Sequence, residues 1–464
     1  MGPKPTDIRV IGCELYFLPI KTRVPLKFGL ETLTEVTCAR VRVWVRRESG
    51  RTAEGWGETP LSVQWVWPSQ LSHDARQRAL KDFCQIVGRS FAQFEVAGHP
   101  IEISHAFQEQ LLPSLLRELN QQRSGIEPMP WLAALVCFSA FDLALHDAYG
   151  QIHQCPVFET YNGKFMNRDL ASYLTAAEID VSFTGKFPQD FLPPRRRDHL
   201  TAWHLVGGLD PLESCDLTSP GSEDGYPLLL KDWIHADGLK CLKVKLRGTD
   251  SSWDYERLVQ VGRIGLTQGI EWFSTDFNCT VQEPEYVIQI LSRLQRDQQE
   301  IYRRILYVEQ PFPYELEQHR IDVHAVAALK KLFLDESAHN WQCVRLGREL
   351  GWTGVALKTC KTLTGALLSA CWAKAHGLSL MVQDLTNPML AQIPHLLLAA
   401  HLDTLMGVET NCMQFYPDAS KPEAQVHPGL YRRRSGQVDL TSIQGPGFGY
   451  RLHEINRSLP PSAN

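Results

Sequence analysis

The sequence predicts an α/β barrel preceded by a smaller α+β domain, and three observations carry that expectation. The second half of the 464-residue chain holds short apolar runs that each end in, or run straight into, a charged residue. Those residues are Lys245, Asp276, Glu309, Asp335, Lys358, Asp384 and Glu409, at successive steps of 31, 33, 26, 23, 26 and 25 residues, the length of one strand, one helix and two loops repeated. The first 150 residues instead pass from a β-rich to a helix-rich stretch. A parallel barrel gathers the C-terminal ends of its strands into one ring, so residues far apart in sequence meet in one pocket.

Taking the elements in order, Ile8 to Leu18, Val36 to Arg46 and Thr52 to Glu58 are rich in β-branched and aromatic residues. They read as an antiparallel meander with a turn at Glu48–Arg51. Residues 73–150 then read as helical, and Met129 to Tyr149 has apolar residues at helical spacing with Gly150 as its C-cap. This first domain is expected over residues 1–165. Arg168 to Thr175 is expected as the first strand of a barrel spanning 166–430. Phe187 to Arg197, with Pro188, Pro193, Pro194 and three consecutive arginines, and the Ser/Gly/Pro-rich Thr218 to Pro227 predict an insertion at about 178–235, too long for an ordinary βα connection. A lid, an oligomer contact and a plain surface elaboration all fit it. The tail 430–464 is free to return to the first domain, and its last dozen residues are expected to be mobile.

Whole-chain properties narrow the function classes. A formal net charge of −5 gives no electrostatic reason to expect nucleic acid or an anionic membrane. No apolar run is expected to approach the roughly 20 residues that span a bilayer, and Met1 to Val10 has no signal-peptide apolar core. The twelve cysteines form no C-x-x-C pair and often sit inside apolar runs, which fits buried free thiols and a cytoplasmic protein.

The chemistry-bearing residues follow from the strand ends. On Cys241-Leu242-Lys243-Val244-Lys245-Leu246, alternation turns Lys243 and Lys245 into the barrel, where adjacent ammonium groups are expected to depress each other's pKa. Asp276, Glu309 and Asp335 lie on successive strands, and crowded carboxylates call for a cation. All-oxygen ligation favours Mg²⁺, with Mn²⁺ as the alternative, over zinc. Glu336 competes with Asp335 as the inward residue, since strict alternation admits only one. Lys358 is the first polar residue after its strand, with Lys361 as rival. A sixth strand lies opposite a second in a ring of eight, so a substrate between them would have a lysine on each face.

At these positions the chain resembles the enolase superfamily, in its mandelate racemase/muconate lactonizing enzyme branch. The resemblance rests on Glu54-Gly55-Trp56-Gly57-Glu58 and Ala140-Phe141-Asp142-Leu143-Ala144-Leu145-His146-Asp147 in the first domain. In the barrel it rests on Lys243-Val244-Lys245, Asp276-Phe277-Asn278, Val308-Glu309-Gln310-Pro311, Leu334-Asp335-Glu336-Ser337 and Leu357-Lys358, in order and at suitable intervals. It implies a (β/α)7β TIM-like barrel with an N-terminal α+β capping domain, and Mg²⁺ on Asp276, Glu309 and Asp335. It also implies removal of the proton α to a small-molecule carboxylate through an enediolate. Lys245 and Lys358 would be the acid/base pair, with Lys243 tuning Lys245, as in the muconate-lactonizing subgroup. The mandelate racemase subgroup would show an Asp and a His on the sixth and seventh strands, and neither is in register. Racemisation or epimerisation and cycloisomerisation are the leading outcomes, with dehydration of a sugar acid or succinylbenzoate-type acid as the alternative. The resemblance further implies a homo-oligomer, a dimer or octamer. Substrate contacts are expected from Arg23, Lys27 and Phe28 in the capping loop and from Asn278, Asp384, Asn387 and Glu409 at the barrel mouth. The segment Val382 to Pro388 departs from the family pattern, which leaves the substrate open. A barrel without catalysis and a metal-dependent hydrolase are the competing classes, and the second lacks the clustered histidines it usually uses.

Overall fold

The computed structural model of the protein describes residues 4–217 and 224–463. Three antiparallel strands open the chain: β1 (Ile8–Phe28), β2 (Glu31–Arg47) and β3 (Thr52–Pro60), in the order β1-β2-β3. Helices His73–Ala92 and Trp131–His153 pack against this sheet, and Pro100–Gln110 and Leu112–Gln122 pack against those helices. The expected meander and helices are therefore present.

The Gly55-Trp56-Gly57 segment is explained by close packing. A Cβ on Gly55 or Gly57 would overlap the backbone of the Trp131–His153 helix at Ala140, Ala144 and Ala148, so only glycine lets the helix lie flat on β3. Asp142 and Asp147 tie this helix to later parts of the chain. Asp142 accepts from the amides of Leu363 (2.6 Å) and Thr364 (3.2 Å), at the start of a barrel helix. Asp147 accepts from the amides of Trp56 (2.9 Å) and Phe448 (2.8 Å).

Three expectations about this region are corrected. The helix runs on to His153, and Gln154 takes the left-handed cap at φ 55° while Gly150 lies inside, against Gly447. The same helix is long and apolar enough to cross a membrane, contrary to the expected absence of such a run. It is almost wholly buried, as a core helix is. The chain's end is also held, because the Ala463 amide donates to the Leu15 carbonyl of β1 at 2.8 Å.

The barrel comprises β4 (His199–Val206), β5 (Cys241–Lys245), β6 (Trp272–Asp276), β7 (Ile305–Glu309), β8 (Lys331–Leu334), β9 (Gly354–Leu357), β10 (Ser379–Val382) and β11 (Val408–Glu409). All pair in parallel, in the order β10-β9-β8-β7-β6-β5-β4-β11. The ring closes between β10 and β11 through a bridge from Leu380 to Thr404. A short antiparallel strand, β12 (Gln437–Asp439), adds to the outside of β4. Helical segments fill each of the seven intervals between successive barrel strands, from Leu230–Asp237 to Gln392–Ala400, which makes a (β/α)7β barrel.

Arg168 to Thr175 is not the first barrel strand. Leu170–Ser172 is a single tight turn following Asp169, and β4 takes the first position. What read as an insertion over 178–235 therefore contains that strand. Part of Thr218 to Pro227, residues 218–223, lies outside the described residues. All twelve cysteines are unpaired.

Candidate active site

Alternation along the strands sorts their side chains. Leu242 and Val244 pack outward into the helix layer, while Cys241, Lys243 and Lys245 face the barrel axis. At the floor, Trp203, Cys241, Tyr307, Phe333 and Met381 form an apolar plug. Above it stands a buried ionic network. Lys243 Nζ donates to Glu309 Oε1 (2.6 Å) and Glu409 Oε2 (2.9 Å) and lies 3.1 Å from Asp276 Oδ2. Lys245 donates to the same Asp276 carboxylate and to Asn278 Oδ1 (3.0 Å). Across the ring, Lys358 Nζ lies 3.1 Å from Asp335 Oδ2 and donates to the Asp384 carbonyl at 2.9 Å. Lys361 donates to the Asp335 carbonyl at 2.6 Å.

The cap closes this mouth. A cavity of about 40 Å³, enough for a few waters, is lined by Phe28, Ser62 and Trp65 from the cap and by Lys243, Lys245, Asp335, Lys358, Asp384 and Glu409 from the barrel. Trp65 holds two of the groups, with its ring 5.1 Å from the Lys358 ammonium and its Nε1 donating to Glu336 Oε1 at 3.0 Å. Asn411 clamps two more. Its amide and side chain donate to Asp384 (2.9 and 3.2 Å), and its Nδ2 donates to Glu409 Oε1 (2.9 Å).

Several sequence expectations change here. Asp335 and Glu336 are both buried, because β8 ends at Leu334 and strict alternation no longer applies beyond it. Lys358 and Lys361 are likewise both buried against Asp335, but only Lys358 lines the cavity. The expected depression is not found at Lys243. Burial alone would lower the Lys243 ammonium, yet Glu309, Glu409 and Asp276 outweigh it and hold it well above its ordinary value. Lys358 is raised in the same way, chiefly by Asp335 acting against burial.

Of the expected substrate contacts, Phe28, Asp384 and Glu409 line the cavity, and Asn278 stands beside Lys245. Arg23 instead pairs with Asp224 (2.6 Å) and stacks on Tyr226, away from the cavity. Lys27 donates to the Leu30 carbonyl (2.8 Å), and Asn387 is buried with its Oδ1 accepting from the Leu385 amide (3.4 Å). Trp65, Gln383 and Asn411 were not anticipated. Only Gln383 carried a signal, as part of the segment that departs from the family pattern.

Among the described residues, no three His, Cys, Asp or Glu side chains are gathered as a ready metal cage, since lysines hold the carboxylates expected to bind Mg²⁺. The donor chemistry nevertheless fits a divalent cation. Six buried carboxylates (Asp276, Glu309, Asp335, Glu336, Asp384, Glu409) face four buried ammonium groups (Lys243, Lys245, Lys358, Lys361), a formal excess of two negative charges. Burial and then the neighbouring Asp276 push Glu309 well above the carboxylate range despite Lys243, and burial raises Glu336 and Asp384 as well.

Residues 228–456 match the family model described as enolase C-terminal domain-like. That match places the barrel part of the chain in the enolase superfamily. Solved structures similar along nearly their whole length include a muconate lactonizing enzyme from Pseudomonas fluorescens, at 17% identity and TM-score 0.59 over 97% of this chain and 99% of that one. An N-succinyl Arg/Lys racemase from Bacillus cereus shares 16% identity at TM-score 0.61 over 95% of each chain. A dipeptide epimerase from Enterococcus faecalis, solved with Mg and the dipeptide L-Leu-L-Tyr, shares 14% identity at TM-score 0.60 over 95% of this chain and 99% of that one. At these identities the likeness is one of fold. No curated protein matches.

Proposed function

We propose that this superfamily member is an enzyme that removes the proton α to the carboxylate of a small-molecule substrate and returns it on the opposite face, as a racemase or epimerase. The observation that carries the reading is the placement of Lys245 and Lys358. Lys245 ends β5 and Lys358 follows β9, two strands with three others between them in either direction around the ring, and both lysines line one cavity. Asp276 and Glu309 end two of the three strands that separate them on one side, and Asp335 directly follows the third.

Those three carboxylates would hold Mg²⁺, which supplies positive charge to the substrate carboxylate and so favours the charge that develops there. The chain's own groups do the rest. One lysine, as free amine, takes the α-proton; the C–H pair passes into an enediolate; the facing lysine, as ammonium, delivers a proton to the other side of the same carbon. Lys243, bridging Asp276, Glu309 and Glu409, keeps its positive charge and fixes these groups in place. Trp65 and Phe28 exclude water, which strengthens each of these interactions. Cycloisomerisation needs only one of the two lysines as a base, and nothing in the geometry favours it over inversion.

Deuterium incorporation tests the reading. The protein is incubated with Mg²⁺ in D₂O against pooled carboxylic acids, such as N-acylamino acids, dipeptides and sugar acids, and masses are read. A gain of one mass unit that needs both metal and lysine supports it. Loss of water from the substrate, or exchange that persists without Lys245 and Lys358, would overturn it.

A further inference from the structure

Gln383 stands one residue beyond β10, and its amide donates to the Leu357 carbonyl at 3.0 Å, so the pairing of β10 with β9 continues through it. Alternation from Met381 in the apolar plug turns its side chain toward the barrel axis, where it is wholly buried. There it reaches two other strands. Nε2 donates to Glu309 Oε2 and to the Tyr307 hydroxyl (3.2 Å), both on β7, and Oε1 accepts from Lys243 Nζ on β5 at 3.4 Å. Glu309 is thereby held at both oxygens, Oε1 by Lys243 (2.6 Å) and Oε2 by Gln383. Gln383 does not itself line the lysine cavity, so it acts on Glu309 and not on a molecule held there.

The residue type is informative. An apolar side chain of this length would leave a buried carboxylate oxygen without its donor, which is costly. A glutamate would set one more carboxylate against the six already gathered. A lysine could hold Glu309 as well, but it would cancel half of the formal excess of two negative charges that suits the site to a divalent cation. A neutral amide supplies the donor and leaves that charge balance unchanged.

We infer that Gln383 is a positioning residue: it fixes the carboxylate plane of Glu309, the middle one of the three expected Mg²⁺ ligands, and so presets the site for a small, geometrically strict cation. The inference rests on the Mg²⁺ reading above and deepens it to which cation the site selects. Mg²⁺ demands near-ideal octahedral geometry, whereas Ca²⁺ accepts a looser and more variable shell of oxygens. Freeing Glu309 should therefore cost Mg²⁺ more than Ca²⁺.

Calorimetric titration of the full-length protein with Mg²⁺, and separately with Ca²⁺, tests it in wild type and in Gln383→Met. Methionine keeps the length of the side chain and removes its hydrogen bonds. The expected result is an Mg²⁺ affinity lower by at least about tenfold, the range for losing a partner of a metal ligand, with Ca²⁺ affinity changed by less than about threefold. A merely structural glutamine would weaken both ions alike or neither. Tyr307→Phe is the control, since it removes the other partner of Nε2 and leaves the bond to Glu309; its ratio of Mg²⁺ to Ca²⁺ affinity should match wild type. If Gln383→Met does not fold, Gln383→Asn, whose amide stops one methylene short of Glu309, should show the same fall in that ratio. An unchanged ratio, an equal loss of both ions, or the same fall in Tyr307→Phe each overturn the assignment and leave the Mg²⁺ reading standing. A wild type that binds no Mg²⁺ overturns both.

Discussion

Cys241, Tyr307, Phe333 and Met381 close the floor of the barrel, and two residues further along the same strands Lys243, Glu309, Asp335 and Gln383 form its mouth. Floor and mouth are equally buried and share one backbone, yet they do opposite things to the free energy. Tyr307 and Phe333 meet edge to face at 4.4 Å and remove aromatic surface from water, which stabilises the fold. The ionic groups above them lose hydration that their mutual attraction only partly returns. A protein selected for stability alone would continue the apolar plug upward. That this one does not marks the mouth as the part kept for chemistry.

The sharpest way to break the comparison is to remove the proton-handling groups. Lys245→Ala and Lys358→Ala should each lower the metal-dependent deuterium exchange rate by about 10³-fold, the range for a positioned acid or base, with far-UV circular dichroism unchanged. A fall below tenfold for both would make the mouth a structural salt network. The floor should respond the other way. Phe333→Ala should cost about 4 kcal/mol of stability in denaturant unfolding, with exchange at a permissive temperature altered less than about tenfold. Gly354→Ala should also destabilise, because a Cβ there would overlap the Phe333 ring. Combining the two changes should then be less damaging than their sum, since each relieves the other.

Metal tests the mouth more gently. If the formal excess of two negative charges is what Mg²⁺ answers, saturation at a hundred times its dissociation constant should stabilise the protein by about 2.7 kcal/mol, read as a higher thermal midpoint that chelation reverses. Asp276→Asn should lose that gain. An unchanged midpoint with Mg²⁺, in wild type and variant alike, would mean that the lysines alone neutralise the site.

The mouth was legible in the sequence because its signal is local: an apolar run, a period of two, and a charge at the end of each strand. The first barrel strand was not, since β4 runs from His199 to Val206 into Gly207-Gly208 with no charge at its end. Arg23 and Lys27 were legible as basic loop residues, but their partners, Asp224 and the Leu30 carbonyl, are chosen by tertiary contacts that spacing does not encode. The cap's largest contribution, Trp65, lay in the apolar stretch Val63-Gln64-Trp65-Val66 and carried no mark of its position above Lys358 and Glu336.

The smallest effect asks how dry the mouth's support is. His395, on the helix between β10 and β11, donates through Nε2 to the Glu409 carbonyl at 2.8 Å and is wholly buried. Burial pushes its imidazolium down from 6.5 to about 4, against the opposing pull of Glu409. Above pH 6.5 the ring is neutral both folded and unfolded, so it has no pH-dependent effect there. As pH falls from 6.5 toward 4 the unfolded chain takes up the proton and the folded one does not, which lowers stability by at most about 1.4 kcal/mol per pH unit. His401, also held near 4 mainly by burial, adds a similar slope, so the wild-type curve alone cannot isolate one ring. The difference between wild type and His395→Gln does. It should be constant above pH 6.5 and shrink as the medium is acidified, because only the wild type keeps losing that contribution. A difference that stays flat down to pH 4 would mean that His395 titrates in the folded state as it does in water. Solvent would then reach the backbone that holds Glu409, and the mouth would be wetter than the floor it stands on.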